Sequence, residues 1–464
     1  MIRFGQFQID PRTRLLTRDS AAVDLSPRLV EILGFIVSRS GEIVTKDELL
    51  EKFWPGVNVT ENTLTRAIAD IRKAIGEDAT APRVLQTAAR RGYRFGGDAS
   101  ITPATDPFEE WVKGRLALDS LDATKLNDAV LAFESATAEL PKYAPAHAGL
   151  ANAYLLQYER TRFGSAPNRE LLARAMSAAR QAAKLDPSLG EAWGVLGYLL
   201  CAAGKFDEGQ AAVRRATALE PENWRHHYRL AYGTWGEERL RAVDRTLALM
   251  PGFAPARMLA CMVFVARGTM DRADREASIG VETQRQNQSD QTPLPAVCFH
   301  WLRGLILATK GDRAAALTCF EEEIAAASSH VYGREFAVNA QVAIGFTRLA
   351  DGDGDAAANA FTAAMTHPKS RVGMCALTRD REAVETAITE LTASGRFAEA
   401  ALVRAGSHIV NGDVGEAVAA LDGLLTSAPA GPAGWIIPID PMLSAIREHP
   451  AKQALFTRLA ARAA

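Results

Sequence analysis

The sequence has few of the features that mark a secreted protein, a membrane protein or an enzyme. Its 464 residues include only five cysteines, none in a CxxC pair, and an odd number of apolar-flanked cysteines is typical of reduced core thiols in a cytoplasmic protein. The longest apolar run, residues 258–266, is about half the length of a membrane-spanning helix. The chain also opens without the pattern of a signal peptide.

Catalytic motifs are missing as well. The sequence contains no HExxH, no GxSxG, no P-loop and no GxGxxG followed by an acidic partner. Its eight histidines are scattered, and the adjacent His226 and His227 would point to different sides of a helix. Residues 351–355 (DGDGD) resemble the start of a calcium loop but lack the glutamate that closes one. We therefore expect no catalytic residue, no metal and no cofactor.

The charge is nearly balanced but unevenly distributed. The chain carries a net charge of −2, yet residues 1–97 hold 15 Lys and Arg against 12 Asp and Glu. The remaining residues hold 38 basic and 43 acidic side chains. A basic head on an acidic body fits N-terminal DNA binding, although the placement of the charges matters more than their sum.

Residues 45–95 have the pattern of two helices, a connecting loop and a hairpin. Thr45 precedes the first helix, and Glu48 three residues later completes a capping box. Pro55-Gly56 ends that helix. The second helix is predicted over residues 60–75, with Thr60 as its cap.

The second helix is amphipathic. One stripe is apolar and consists of Leu64, Ile68, Ile71 and Ile75. The opposite stripe consists of Asn62, Arg66, Ala69 and Lys73, flanked by Thr65, Asp70 and Arg72. Such side chains hydrogen-bond to base edges and phosphates in a major groove. A solvated helix has a polar face too, so the inference depends on the neighbouring elements.

A hairpin follows the second helix. Its strands are predicted over residues 84–87 and 93–95, with Arg90, Arg91 and Arg94 near its tip. Arginines on a thin hairpin suit phosphates or a minor groove. The order of cap, loop, amphipathic helix and arginine-tipped hairpin favours DNA binding.

Residues 1–97 resemble the winged-helix DNA-binding domain of OmpR/PhoB-type regulators. The strings LTRAIADIRKAIGED and RRGYRF are most similar to the ToxR/CadC-like branch. The resemblance implies that the helix over 60–75 enters the major groove and that the wing over 84–95 touches the adjacent minor groove. It assigns base or phosphate contacts to helix residues Asn62, Thr65, Arg66, Ala69 and Lys73. Arg72 is either a phosphate contact or a helix-flank residue, and Arg90 and Arg91 serve the wing. It also implies that the loop from Trp54 to Thr60 contacts RNA polymerase. The chain departs from the ToxR/CadC-like branch in having no membrane helix after this domain.

The rest of the chain resembles a tetratricopeptide array. Residues 98–106 read as a linker, since they are rich in Gly, Ser, Thr and Pro. Residues 190–223 match the tetratricopeptide pattern, and Pro187 and Pro221 close successive copies at the 34-residue spacing of that repeat. Weaker copies extend the predicted α-solenoid over 107–433, with a polar loop at 282–295. Residues 434–464 are predicted to cap it, which makes the fold mainly α behind an α+β winged helix.

The first helix of each repeat lines the concave side of such a superhelix. The inward positions predicted from the phase of Trp193 are Glu191 and Tyr198 in one repeat and Arg225, Tyr228, Tyr232 and Trp235 in the next. They predict an aromatic, partly charged pocket for a peptide, a small molecule or another protomer. The alternative is that these aromatic side chains only pack between helices.

Together these patterns predict a cytoplasmic, sequence-specific transcriptional regulator, not an enzyme, with a tetratricopeptide sensor or interaction domain. The alternative is an interaction scaffold in which the winged helix docks on protein rather than on DNA.

Overall fold

The computed structural model describes residues 2–10, 14–19, 21–55, 61–78, 82–89, 91–97, 99–101, 107–162, 167–287, 296–326 and 330–464. The chain divides into two compact units. Residues 1–113 with 135–143 form the N-terminal unit, and residues 114–134 with 144–464 form the repeat unit.

The N-terminal unit begins with short strands, followed by a helical domain that ends in a hairpin. In chain order its elements are β1 (Ile2–Phe4), β2 (Phe7–Asp10), β3 (Leu15–Arg18), β4 (Ala21–Ala22), α1 (Pro27–Ser38), β5 (Ile43–Thr45), α2 (Lys46–Phe53), α3 (Glu61–Ala74), β6 (Leu85–Ala88), β7 (Gly92–Phe95) and β8 (Ala99–Ile101). The first residues of α4 (Pro107–Asp119) also belong to it.

The sequence pattern of the first 25 residues predicts short strands over residues 2–9, 15–17 and 23–25. The opening sheet differs from that pattern and from the predicted linker in three places. Its strand order is β4-β3-β2-β1-β8, and all of its pairs are antiparallel. Residues 2–9 form a hairpin rather than one strand, because Gly5 turns the chain at a φ of +52°. The strand predicted over 23–25 is wrong, since pairing with β3 involves Ala21 and Ala22 instead. β8 lies inside the predicted linker 98–106, where it covers the otherwise open edge of β1.

The winged-helix core follows the prediction closely. Thr45 caps α2 through the predicted capping box: its N–H donates to Glu48 Oε2 over 2.9 Å, and its Oγ1 accepts from the Glu48 N–H over 3.2 Å. The bond from the Thr45 N–H, together with those that Arg39 Nη1 and Thr45 Oγ1 donate to the same carboxylate, lowers the pKa of Glu48 to about 2. β5, β7 and β6 form the second sheet in that order. The helices and both sheets enclose one apolar cluster, which includes Ile36, Leu49 and Phe95.

The repeat unit is a succession of helix pairs. With α4 and α5 (Leu126–Glu139), its helices are α6 (Ala144–Arg162), α7 (Arg169–Leu185), α8 (Gly190–Ala202), α9 (Phe206–Leu219), α10 (Trp224–Gly233), α11 (Gly236–Leu249), α12 (Ala254–Ala266), α13 (Met270–Asn287), α14 (Phe299–Thr309), α15 (Arg313–Ala326), α16 (Gly333–Ala350), α17 (Gly354–Ala363), α18 (Pro368–Thr378), α19 (Glu382–Ala393), α20 (Phe397–Val410) and α21 (Val414–Ser427). Within the described residues, α6 to α21 pack as consecutive pairs. α8 begins at Gly190 and α10 begins 34 residues later at Trp224, which confirms the predicted solenoid of tetratricopeptide repeats.

Close packing of glycine on phenylalanine joins the two helices of several pairs. A Cβ atom on Gly304 of α14 would lie 2.4 Å from the Phe320 ring of α15. A Cβ on Gly345 of α16 would lie 2.3 Å from the Phe361 ring of α17. Both rings are fully buried. Glycine is therefore required at these positions so that the paired helices can approach.

The loop predicted over 282–295 is partly wrong, because α13 continues to Asn287. Gln284 is buried there, and its Nε2 donates to both carboxylate oxygens of Glu323 over 3.2 Å. This partner lies 39 residues away, so the polar composition of the segment did not reveal it. Residues 288–295 lie outside the described part of the chain.

The C-terminal segment 434–464 folds back onto the solenoid. A 3-10 helix (Pro441–Glu448) contacts α14, α16, α20 and α21, and α22 (Lys452–Arg462) contacts α12 and α21. Its apolar side chains, including Met442, Leu443 and Leu459, join the core of the repeats. The segment therefore covers the first helices of the later repeats. The predicted cap would have covered only the end of the array.

The five cysteines are all free and buried, as predicted. Burial raises the pKa of the Cys201 thiol to about 11. None of the helices in the described ranges combines the length and the apolar composition needed to cross a bilayer.

Candidate functional site

The exposed face of α3 is the one predicted from its periodicity. Leu64, Ile68 and Ile71 are at most 1% exposed, so the apolar stripe is locked into the core. The predicted contact residues Asn62, Thr65, Arg66, Ala69 and Lys73 are all exposed. The helix ends at Ala74, and the chain turns at Gly76. There the Glu77 N–H donates to the Arg72 carbonyl over 2.9 Å, and the Gly76 N–H donates to the Lys73 carbonyl over 3.2 Å. The domain thus presents one polar helix face in a fixed orientation.

Arg72 differs from the other predicted contact residues, because its side chain turns toward the wing. Its Nε and Nη2 donate to the Leu85 carbonyl over 3.1 and 2.7 Å, and Nη2 also donates to Thr87 Oγ1 over 2.8 Å. From the same end of the helix, Glu77 accepts hydrogen bonds from the Val84 and Leu85 N–H groups. These bonds tie α3 to β6, so the structure gives Arg72 a positioning role between helix and wing.

The wing places Arg91 at its exposed tip. The Arg91 N–H donates to the Ala88 carbonyl over 2.9 Å, which closes the turn between β6 and β7. Arg94 is also exposed, and its Nη2 donates to Gln86 Oε1 over 2.6 Å. Arg90, the other predicted wing contact, lies outside the described residues.

The loop predicted to face RNA polymerase is described only at its start. Trp54 follows α2, and its N–H donates to the Leu50 carbonyl over 2.8 Å. The Arg28 guanidinium lies 4.6 Å from the centre of the Trp54 ring and donates to the Phe53 carbonyl. Residues 56–60, including the predicted cap Thr60, lie outside the described part of the chain.

The repeat unit contains a second candidate site, a cavity of about 1440 Å³ that we call the concave cavity. All six predicted inward residues line it: Glu191, Tyr198, Arg225, Tyr228, Tyr232 and Trp235. Five of the eight tyrosines and four of the seven tryptophans of the chain contribute to its wall. Tyrosine and tryptophan combine a large apolar surface with one polar group, a combination common in binding sites.

The aromatic side chains of the cavity also pack on one another. The Tyr198 and Tyr232 rings are stacked with centroids 4.0 Å apart, and Tyr228 meets Phe253 edge-on at 4.8 Å. The rings therefore join neighbouring repeats while they line the cavity.

A buried ion pair in the cavity wall was not predicted from the sequence. Arg229 is only 8% exposed, and its Nη1 and Nη2 each donate to one oxygen of Glu191 over 2.8 Å. Asn152 Nδ2 donates to the same carboxylate over 2.9 Å. Burial would raise the pKa of Glu191, but the Arg229 guanidinium outweighs it and holds that pKa well below its usual value. Arg229 lies four residues after Arg225 on α10, so the two share one helix face. This spacing could have indicated that Arg229 also points inward.

Arg239 is a second cavity residue that the sequence did not reveal. It is 2% exposed, and its Nε donates to the Ala231 and Thr234 carbonyls over 2.8 Å. Its guanidinium lies 4.6 Å from the Trp235 ring centre. Burial lowers the pKa of Arg239 to about 9. Its charge is offset by the carbonyls that end α10 and by the Trp235 ring.

His330 also lies in the cavity wall. Because it is buried there, we expect the free energy of unfolding to depend on pH. Burial lowers its pKa to about 4, whereas an unfolded histidine titrates near 6.5. Between these values the unfolded chain binds a proton that the folded chain does not, so folding stability falls as the pH drops, by about 1.4 kcal/mol per pH unit. His330→Asn should flatten this acid-side slope in urea unfolding followed from pH 7 to 4.

Asparagine is chosen because it can still accept the hydrogen bond that His330 Nδ1 receives from the Tyr332 N–H. His449→Asn is the matched control, since His449 accepts the same kind of bond from the Ala451 N–H but is half-buried and outside the cavity. An acid-side slope unchanged by His330→Asn would contradict the prediction.

Residues 351–355 serve the repeat turn. Asp353 Oδ1 accepts from the Ala356 N–H over 3.1 Å and caps α17, and Asp351 forms an ion pair with Arg313 over 3.0 Å. Across the described ranges, no group of three or more His, Cys, Asp or Glu side chains is arranged to hold a metal ion.

Comparison with known proteins adds the family of the N-terminal unit. Residues 20–95 match the family described as "Transcriptional regulatory protein, C terminal". The transcriptional activator CadC of Escherichia coli (strain K12) is 30% identical over 96 residues, which are 20% of this chain and 19% of CadC. Transcriptional regulator HilA of Salmonella typhimurium (strain LT2) is 33% identical over 94 residues, which are 20% of this chain and 17% of HilA. The chain thus matches about a fifth of the length of these relatives.

A solved structure is similar to the same part of the chain. The DNA-binding domain of Escherichia coli CadC is 28% identical and covers 22% of this chain and 95% of that domain, with a TM-score of 0.20. The family match, together with the winged helix and the helix pairs described above, leads to one conclusion: the chain carries an N-terminal OmpR/PhoB-type transcriptional regulatory domain followed by a solenoid of tetratricopeptide repeats.

Proposed function

We propose that the protein is a cytoplasmic, sequence-specific transcriptional regulator, in which α3 enters the major groove of promoter DNA and the wing contacts the adjacent minor groove. The loop from Trp54 to Thr60 contacts RNA polymerase. The repeats bind a small molecule, a protein partner or another protomer, and thereby act as the sensor. The observation that carries the proposal is the exposed face of α3 with Asn62, Arg66 and Lys73.

The contacts between α3 and the wing support this proposal. A helix that reads bases must hold its side chains at a fixed angle to the groove. Here Ile68 and Ile71 anchor the helix in the core, while Arg72 and Glu77 bond it to β6. Helix and wing are therefore joined into one surface, as simultaneous contact with two grooves requires.

The relatives support it further. CadC is named as a transcriptional activator and HilA as a transcriptional regulator. The part of this chain that matches the regulatory family is the part that contains α3 and the wing. We carry the role in transcription to this chain on that basis.

The test is Arg66→Ala in the full-length protein, with DNA from the region upstream of its own gene. Arg66 is exposed at the middle of the α3 face, so its loss should remove a base or phosphate contact without disturbing the core. Binding should weaken by about 1–3 kcal/mol, measured by gel shift or fluorescence anisotropy. Wild-type affinity should also fall as salt rises, because bound Lys and Arg release counterions from the phosphates.

Arg3→Ala is the control, since it removes the same charge from an exposed position of β1 in the N-terminal unit. If Arg66→Ala binds as tightly as wild type, this face of α3 does not read DNA. If the wild-type protein binds no DNA even at low salt, the scaffold alternative, with the winged helix docked on protein, replaces the regulator.

A further inference from the structure

The concave cavity has an excess of positive charge. Among the described residues, seven arginines and one lysine line it, against five side-chain carboxylates and Ala464, which ends in a carboxylate. The lysine, Lys369, is neutralised by Asp440 behind the wall, over 2.5 Å. The arginines therefore outnumber the carboxylates that face them in a partly enclosed space. Such an imbalance is costly unless an anion offsets it.

The excess is concentrated at the start of α10. Arg115 Nε and Arg225 Nη2 both bond to Asp119, over 3.3 Å each, so two guanidinium groups share one carboxylate. The next carboxylate along the wall, Glu191, is already engaged, because both of its oxygens accept hydrogen bonds from Arg229. Burial and the nearby Arg115 lower the pKa of Arg225. The pKa of Arg115 is raised, because Glu191 and Asp119 outweigh the effect of its burial.

An aromatic wall continues from this charged end along one face of α10. Arg225, Tyr228 and Tyr232 follow at i, i+3 and i+7, so the first and last of them are about 10 Å apart along the helix axis. Trp235 follows at the far end, and Tyr198 of α8 stacks on Tyr232. All five side chains line the cavity and are half-buried or buried. Their arrangement suits a ligand that is charged at one end and flat over a length of one or two rings.

The C-terminal segment argues for a small molecule over an extended peptide. A peptide that lies along a solenoid needs an open groove over several first helices. Here the segment covers α14, α16 and α20, and its Trp435 and Arg462 line the cavity. The space that remains is a cavity of about 1440 Å³, large enough for a molecule of drug or nucleotide size.

We infer that the concave cavity binds a small anion that carries a planar aromatic ring, with its charged group at Arg225 and Arg115 and its ring against Tyr228, Tyr232 and Trp235. This inference rests on the proposed sensor role of the repeats and names the chemical class of the effector.

The test uses two fluorescent probes that differ in charge. 8-Anilino-1-naphthalenesulfonate is an anion that carries a planar naphthalene ring, and N-phenyl-1-naphthylamine is the same ring system without the sulfonate. Both are titrated into the full-length protein. The wild type should bind one equivalent of the anion. Arg225→Gln should weaken the anion by about tenfold or more and the neutral probe by less than about twofold, because only the charged hydrogen bond is lost.

The matched control is Arg241→Gln, which removes the same charge from an exposed position of α11 outside the cavity. Arg225→Gln leaves Asp119 paired with Arg115, so the fold should persist. If Arg225→Gln does not fold, Arg115→Gln is titrated with the same two probes, because Asp119 then stays paired with Arg225. Equal weakening of both probes, or no weakening of the anion, overturns the inference.

Promoter binding by the same samples keeps this inference separate from the proposed function. DNA binding without selective loss of the anionic probe in Arg225→Gln would overturn the ligand class and leave the regulator in place. Selective loss of that probe in a protein that binds no DNA would support the anion site while overturning the regulator.

Discussion

Arg229→Ala should lower the free energy of unfolding of the repeat unit by about 3–5 kcal/mol, because it removes one partner of a buried ion pair. Arg229 and Glu191 lie in the wall of the concave cavity, with side chains only 9% and 14% exposed. Alanine would leave the Glu191 carboxylate in the cavity wall with Asn152 as its remaining close donor. A largely desolvated carboxylate that loses its counter-charge must either remain charged at high cost or take up a proton.

Urea unfolding followed by tryptophan fluorescence measures the effect, since six of the seven tryptophans lie outside the winged helix. Arg214→Ala is the matched control. Arg214 contacts Glu238 at 2.7 Å, but their side chains are 51% and 38% exposed, so its loss should cost less than about 1 kcal/mol. A loss in Arg229→Ala no larger than in this control would contradict the prediction.

A double replacement tests the cause of that loss. Glu191→Leu combined with Arg229→Met removes both charges and keeps apolar volume, so most of the stability should return. If the double variant is as unstable as Arg229→Ala, lost packing rather than an unpaired carboxylate is responsible. The comparison also shows how far the cavity wall depends on charge.

Local periodicity was enough to predict the candidate DNA-binding face. The buried stripe of α3 follows from the spacing of Leu64, Ile68 and Ile71, and its exposed face follows from the same period. The capping box of Thr45 and Glu48 is visible within four residues. In the repeats, a recurrence of 34 residues fixed the phase of the first helices, and with it the inward side chains such as Tyr228.

Features that depend on distant partners were not predicted. Arg72 lies at the edge of the polar face of α3, and only the position of β6 shows that its guanidinium bonds to Leu85. β8 lies in a stretch with linker composition, and it is a strand because Ile101 reaches the edge of β1. The last turns of α13 depend on Glu323, 39 residues beyond Gln284. In each case the deciding contact is absent from the local sequence pattern.

The charge of the concave cavity also depends on residues that are distant in the sequence. The sequence places Arg225 on the inward face, but its crowding by Arg115 depends on α4 and α10 meeting across the repeats. Arg239 lies on a second helix, where the repeat pattern predicts no inward position, and it is buried because it bonds to the carbonyls that end α10. A site assembled from several repeats therefore cannot be predicted without the packing of those repeats.

Gly92→Ala should destabilise the wing by about 3 kcal/mol or more and abolish promoter binding at physiological salt. Gly92 begins β7, where it pairs with both Thr45 of β5 and Ala88 of β6. Its φ is +155°, and a Cβ atom there would lie 2.0 Å from the Val44 carbonyl oxygen. The clashing atom belongs to the backbone of β5, which pairs directly with β7. The clash can therefore be removed only if β5 and β7 move apart. The wing and the end of α3 that Arg72 and Glu77 bond to it would then lose their shared position.

Gly76→Ala separates the cost of a positive φ from the cost of a steric clash. Gly76 has a φ of +69°, but a Cβ atom there would meet no other atom within 4 Å, so alanine meets only the cost of left-handed backbone, about 1–2 kcal/mol. Hydrogen exchange of the amides in residues 82–97, measured in the full-length protein, should show large loss of protection in Gly92→Ala and a small loss in Gly76→Ala. Promoter binding should follow the same order. Equal protection in the two variants would mean that the strands accommodate the methyl group. Lost protection with intact promoter binding would mean instead that recognition needs α3 alone and that the wing contributes nothing to it.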